Sequence, residues 1–123
     1  MDTRGRNTPA NIGRAAEDRA LVFLEKAGLC LLERNFRCRA GEIDLIMREG
    51  GTIVFVEVRL RRVSRFGTAA ESVGSAKLRR VQFAAELWLR LRGRDSPARI
   101  DVLTLDGAEC ETARIGWIRG ASV

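Results

Sequence analysis

The sequence predicts an α/β domain of order α-β-β-β-α-β, with helices covering a mixed sheet. Three observations carry that reading. Residues 11–27 and 75–92 repeat apolar side chains at helical spacing. The run TIVFVEV (52–58) is β-branched and continuous, as a central strand buried on both faces would be. Glu49-Gly50-Gly51 separates that run from GEIDLIMR (41–48), as a hairpin turn would.

Each element follows in order. Residues 1–10 are polar and hold Arg4, Arg6, a glycine and a proline, so a flexible basic arm is expected there, followed by a single domain over 11–123. Asn11 is a plausible N-cap for the first helix. Ile12, Ala16, Ala20, Phe23 and Ala27 form its apolar stripe, Leu24 widens it, and Gly28 closes the end. Strands are expected over 29–36, 42–48 and 52–60, the first two joined by a turn at 37–40. Residues 61–74 read as a basic loop with a short helical turn at 69–73. Ser75 can cap a second helix running to Arg92, with its stripe at Val81, Ala84, Trp88 and Leu91 and with Leu78 and Ala85 beside it. GRDSP (93–97) turns the chain into a fourth strand over 99–105, and a last strand is expected at 115–118.

Composition narrows the chemistry. At 123 residues and 46% hydrophobic content, one globular domain is expected. No apolar run approaches the roughly 18 residues of a membrane span, and the first residues lack a signal-peptide core, so a cytoplasmic protein without membrane attachment is expected. Cys30, Cys38 and Cys110 form neither a CxxC pair nor a zinc pattern and read as incidental thiols. Histidine and tyrosine are absent. That removes His-based acid–base catalysis, Ser-His-Asp triads, His metal sites and a tyrosyl nucleophile. Any metal would be a hard cation held by oxygen, Mg²⁺ or Mn²⁺.

The net charge is +6, the pI is near 10.5, and all but two of the 22 basic residues are arginine. The arginines cluster, most densely at Arg59, Arg61, Arg62 and Arg65. Such a balance points to an anionic partner, most simply nucleic acid; a solvated basic surface is the alternative.

Acids inside the predicted sheet are the anomaly. Side chains alternate along a strand, so Glu42 and Asp44 share one face of the second strand, and Glu57 and Arg59 one face of the third. Hairpin pairing can bring Asp44 beside Glu57. Two close carboxylates repel unless a cation lies between them, and a divalent ion there would supply a catalyst. The alternative is a set of carboxylate–arginine pairs with Arg59 and Arg61. Glu17 stands at the border of the first helix's stripe, where it could face the sheet or simply pair with Arg14. Lys77 lies four residues before Val81 and so continues an apolar stripe, in a chain that otherwise prefers arginine. It either snorkels or places an ammonium near the carboxylates.

These residues carry a resemblance. Gly41-Glu42-Ile43-Asp44-Leu45-Ile46, Val54-Phe55-Val56-Glu57-Val58-Arg59, Phe66-Gly67, Glu71, Lys77 and Arg99-Ile100-Asp101-Val102 resemble the YraN family of small bacterial proteins over about residues 11–105. That family looks like a branch of the restriction-endonuclease-like, PD-(D/E)XK nuclease superfamily, especially archaeal Holliday junction resolvases. The resemblance implies a restriction-endonuclease-like core. It implies Mg²⁺ or Mn²⁺ held by Asp44 and Glu57, with the Val58 carbonyl assisting and Glu17 in the outer shell. Glu42 would flank the site without an assigned role. Arg59 stands where the superfamily has lysine; its high pKa makes it a poor proton acceptor, and Lys77 could restore the missing ammonium. The implied activity is phosphodiester hydrolysis of DNA, with Arg59, Arg61, Arg62 and Arg65 on the phosphate backbone, branched DNA as substrate and a homodimer as assembly. The alternative is a non-catalytic nucleic-acid-binding module that retains the fold.

Overall fold

Helix α1 spans Pro9–Lys26 in the computed structural model, which describes residues 9–61, 75–92, 95–109 and 111–121. Proline suits the first position of a helix, where its missing N–H would have had no helical acceptor. The helix therefore starts before Asn11, which lies inside it and is not its cap, and the arm expected over 1–10 overlaps it at Pro9 and Ala10. Ala16, Ala20 and Leu24 are its buried row. Ala27, expected in that row, is exposed because it already belongs to the closing turn. There Leu29 N–H donates to Leu24 O and Gly28 N–H to Glu25 O, both at 3.0 Å. This is a Schellman closure, and it requires the left-handed φ of +100° that Gly28 adopts.

Five strands follow: β1 Cys30–Cys38, β2 Gly41–Glu49, β3 Thr52–Arg61, β4 Ala98–Asp106 and β5 Arg114–Ile118. Helix α2, Ser75–Leu91, lies between β3 and β4 in sequence. The strand order is β1-β2-β3-β4-β5, with β3 and β4 parallel and every other pair antiparallel. The expected α/β architecture and order α-β-β-β-α-β are thus present, with β5 added. β1 is longer than expected and leaves only Arg39-Ala40 as the turn. Residues 62–74, including Arg62, Arg65 and the helical turn expected at 69–73, lie outside the described residues.

The sheet is buried on both faces, which explains the unbroken apolar run of β3. Val54 and Val56 join Leu45, Met47, Leu103, Ala20 and Leu24 under α1. Ile53 and Phe55 join Ile46, Val81, Ala84 and Trp88 under α2. Phe55 meets Trp88 edge-on at 5.7 Å; truncating this buried ring costs about 3–5 kcal/mol. Leu91 was expected in the α2 stripe but is 61% exposed, being the last helical residue and beyond the packed face. No helix among the described residues is long and apolar enough to cross a membrane.

A buried acid ties β4 to the residues after β5. Asp101 is fully buried and accepts hydrogen bonds from Arg99 Nε, Trp117 Nε1 and Gly120 N–H at 3.0, 2.9 and 2.9 Å. Arg99 and Arg119 both pair with Glu49, the last residue of β2 before the β2–β3 turn, at 2.8 and 2.7 Å. These bonds fasten β4 and the residues after β5 to that turn. Asp101 stands opposite Val56 of β3, one residue before Glu57 and the candidate site.

Candidate active site at the sheet fork

Strands β2 and β3 part company within the sheet. Their ladder runs from Glu49↔Thr52 to Leu45↔Val56 and stops. Beyond it, Gly41, Glu42 and Ile43 stay paired with β1, while Glu57 to Arg61 stay paired with β4. The sheet therefore forks, and Asp44 and Glu57 are the first residues past the branch. If the register continued, the Val58 amide would bond to β2 backbone. Instead it donates to Asp44 Oδ2 at 2.8 Å, so a side chain takes the place of the lost ladder bond. In a strand, the amide and carbonyl of one residue face the same neighbour, so the Val58 carbonyl faces the fork as well.

The fork is a dry place for charge. Asp44 and Glu57 are 9% and 5% exposed, and their carboxyl groups hydrogen-bond to each other. Burial pushes the Glu57 pKa up to about 8, and the Asp44 charge pushes in the same direction. Asp44 is raised as well, chiefly by burial, against the lowering pull of the Val58 N–H and the hydrogen bond with Glu57. The pair thus holds a proton at neutral pH, and Glu57 is its main carrier.

Helix α2 supplies a cation. Lys77 Nζ lies 3.3 Å from Glu57 Oε1, with the lysine side chain 38% exposed. The lysine that interrupts an apolar stripe therefore contacts the acid instead of reaching away into solvent. Its charge lowers the Glu57 pKa but does not outweigh burial.

Glu17 approaches from α1. It pairs with Arg34 of β1 at 3.6 Å, and the partner considered from sequence, Arg14, is exposed. Burial raises the Glu17 pKa, with Asp44 the next cause, so the two acids feel each other's charge. Glu17 also accepts a hydrogen bond from Asn35. Asn35 has a left-handed φ of +55° inside β1, a conformation that Asn tolerates better than most residues. Sequence reasoning missed Arg34 and Asn35. An Asn amid strand-forming residues was the only signal, and alone it is weak. Glu42 pairs with Arg37 at 2.6 Å at the surface and adds a third repelling charge near Asp44. Arg59 and Arg61 are half-buried beyond Glu57 on β3.

The acids divide by location. At the fork, Glu17, Asp44 and Glu57 are all raised. Away from it, Glu33 is lowered by hydrogen bonds from Trp88 and Arg92, and Glu49 by those from Arg99 and Arg119. The fold satisfies the distal acids with its own donors and leaves the fork acids short of positive charge.

The fork donors suit a hard cation. Among the described residues, no three acidic or thiol side chains form a ready-made metal cage. Mg²⁺, however, commonly binds through one or two carboxylates and keeps several waters. Two carboxyls and a carbonyl facing one gap fit that habit, and a divalent charge would relieve the conflict that holds the proton.

Comparison with known proteins places the chain. The family described as "Uncharacterised protein family UPF0102" matches residues 16–105, which include α1 from Ala16, the fork and Lys77. A UPF0102 protein of Janthinobacterium sp. (strain Marseille) is 45% identical over 96% of this chain and 92% of its own length. One from Nitrosomonas europaea is 49% identical over 94% and 96%, and one from Ralstonia pickettii 50% identical over 91% and 90%. The chain belongs to the UPF0102 family, the YraN family.

Proposed function

We propose that this chain is a metal-dependent endonuclease that hydrolyses phosphodiester bonds in DNA. The observation that carries the proposal is the pair of buried, mutually hydrogen-bonded carboxyls at the fork with the Lys77 ammonium 3.3 Å away. A hydrogen-bonded acid pair held short of positive charge is costly to keep for structure alone. In this reading, Asp44, Glu57 and the Val58 carbonyl hold Mg²⁺ or Mn²⁺, and Glu17 supports it from the outer shell. The ion would supply a polarised phosphoryl oxygen and an acidified water. Lys77 offsets charge developing on the scissile phosphate, and Arg59 orients a phosphate oxygen. Arg61, with Arg62 and Arg65 of the following segment, holds the DNA backbone, which supplies affinity without sequence choice. Branched DNA such as a Holliday junction is the substrate and a homodimer the assembly on resemblance alone.

Arginine at position 59 favours a second reading, a nucleic-acid-binding module that keeps the fold without turnover. Calorimetric Mn²⁺ titration of the wild type and Asp44→Ala, with cleavage assays on linear, flapped and four-way DNA, separates the two. Heat with the wild type alone, together with Mn²⁺-dependent cleavage, supports the nuclease. Heat of Mn²⁺ binding that survives Asp44→Ala refutes the assigned metal site. DNA binding without cleavage of any substrate supports the module.

A further inference from the structure

We propose that Arg39, Arg80 and Phe83 form a path for a single unpaired nucleic-acid strand leading away from Glu57. The proposal rests on the nucleic-acid part of the reading above and not on cleavage.

The path begins at Lys77. On a helix, residues three apart are neighbours, so Lys77, Arg80 and Phe83 make one row along α2, starting at the Glu57 contact. Gly41 lies against that row. A Cβ on Gly41 would sit 3.3 Å from Arg80 Cβ and 3.4 Å from Arg80 O, so the β1–β2 turn rests directly on the helix. This close approach sets Arg39, two residues before Gly41 in the turn, beside the row. Arg39, Arg79 and Arg80 are exposed, and none has a carboxylate partner among the described residues. Arg80 Nε reaches only the Ala76 carbonyl, at 3.4 Å.

Phe83 determines the kind of ligand. It is 53% exposed, whereas Phe55 and Trp88 are buried, Phe23 packs on Trp117 and Phe36 packs against the α2 cluster. Among the described aromatics it alone turns outward, with Arg79 and Arg80 one turn before it. A duplex hides the faces of its bases. An unpaired strand offers phosphates to arginine and base faces to an aromatic ring. Leu91, also exposed, lies two turns further along the helix, and a protein partner would cover both residues.

The test compares labelled oligothymidine with a blunt duplex of equal length by fluorescence anisotropy across a salt series. Phe83→Ala is expected to weaken oligothymidine binding about tenfold, within the range of one lost base–aromatic stack, and to leave the duplex within about twofold. Phe83→Trp restores a stacking face and should restore binding. Arg39→Gln with Arg80→Gln should reduce the single-strand salt slope by about one to two. Wild-type binding by Phe83→Ala, or equal losses on both ligands, overturns the path. So does a wild-type dimer that Phe83→Ala converts to monomer in sedimentation without change in oligothymidine binding; Phe83 would then belong to a contact between two copies. Oligothymidine binding that needs Phe83, in a protein that cleaves nothing, keeps the path and removes the nuclease. Cleavage with no role for Phe83 in oligothymidine binding does the reverse.

Discussion

Replacing Glu57 by Gln interrogates the fork most directly. Glutamine has the shape of a protonated glutamic acid, and its amide can donate to Asp44 as the shared proton does. It cannot ionise. In the wild type, the Glu57 pKa rises from 4.5 to about 8 on folding. An acid raised in this way binds its proton more tightly in the native state. Its contribution to stability is fully present below pH 4.5 and is lost as pH climbs through the window up to about 8. At about 1.4 kcal/mol per pH unit, that window caps the loss at about 5 kcal/mol. Water drawn to the ionised pair offsets part of this, so we expect the wild type to lose about 2–4 kcal/mol more than Glu57→Gln between pH 5 and 8.5.

Urea denaturation across that range measures the difference, and equal m-values check that unfolding remains comparable. Millimolar Mg²⁺ or Mn²⁺ at pH 8.5 should restore the wild type, because a ligand that binds only the native state stabilises it by mass action. Glu57→Gln should respond little. Superimposable pH profiles for the two proteins would mean that the carboxyls do not share a proton. A pH difference without metal rescue would keep the shared proton and remove the cation.

Lys77→Met keeps the apolar stem and removes the charge. Folding should be nearly intact, the Glu57 transition should move to higher pH because the lysine lowers that pKa, and cleavage should fall by about 10²-fold or more. Equal cleavage by mutant and wild type would leave Lys77 a purely structural role. Replacing Arg61, Arg62 and Arg65 together by Ala should shallow the salt dependence of DNA binding, because each lost phosphate contact releases fewer counterions; an unchanged slope moves the contact surface elsewhere. Asp101→Ala removes the acceptor of the Trp117 and Gly120 N–H donors, leaves Arg99 with Glu49 alone, and should cost about 3–5 kcal/mol in urea denaturation. Cleavage per folded molecule should not change, and a selective loss of turnover would contradict the structural role given to Asp101.

Much of the fold was legible because its signals are local. β3 declares itself by continuity, the β2–β3 hairpin by its glycines, and α1 and α2 by their stripes. The errors sit at ends, where chain periodicity gives no information: Asn11 instead of Pro9 as the start of α1, Ala27 and Leu91 as core. At the site, alternation along β2 and β3 was enough to foresee Asp44 beside Glu57. The interrupted stripe was enough to single out Lys77. The fork itself was not legible. It depends on β2 continuing with β1 while β3 continues with β4, and pairing partners are a tertiary choice. Arg34, which reaches Glu17 of α1 from β1, was hidden for the same reason.

The fork also gives a physical reason for lysine at position 77. Glu57 already shares a hydrogen bond with Asp44, and Asp44 already accepts from Val58. What remains at Glu57 is a place for one compact donor approaching from α2. An arginine fork seeks two parallel acceptors and binds a carboxylate most strongly when it engages both oxygens. At Glu57 it would compete with Asp44 for the second oxygen and displace the shared proton. A lysine ammonium needs only the one free oxygen and leaves the acid pair intact. Lys77→Arg therefore tests the geometry without removing charge. It should break the Asp44–Glu57 hydrogen bond and shift the pair's titration to lower pH. Retention of the wild-type pH–stability profile in Lys77→Arg would show that position 77 reads charge alone.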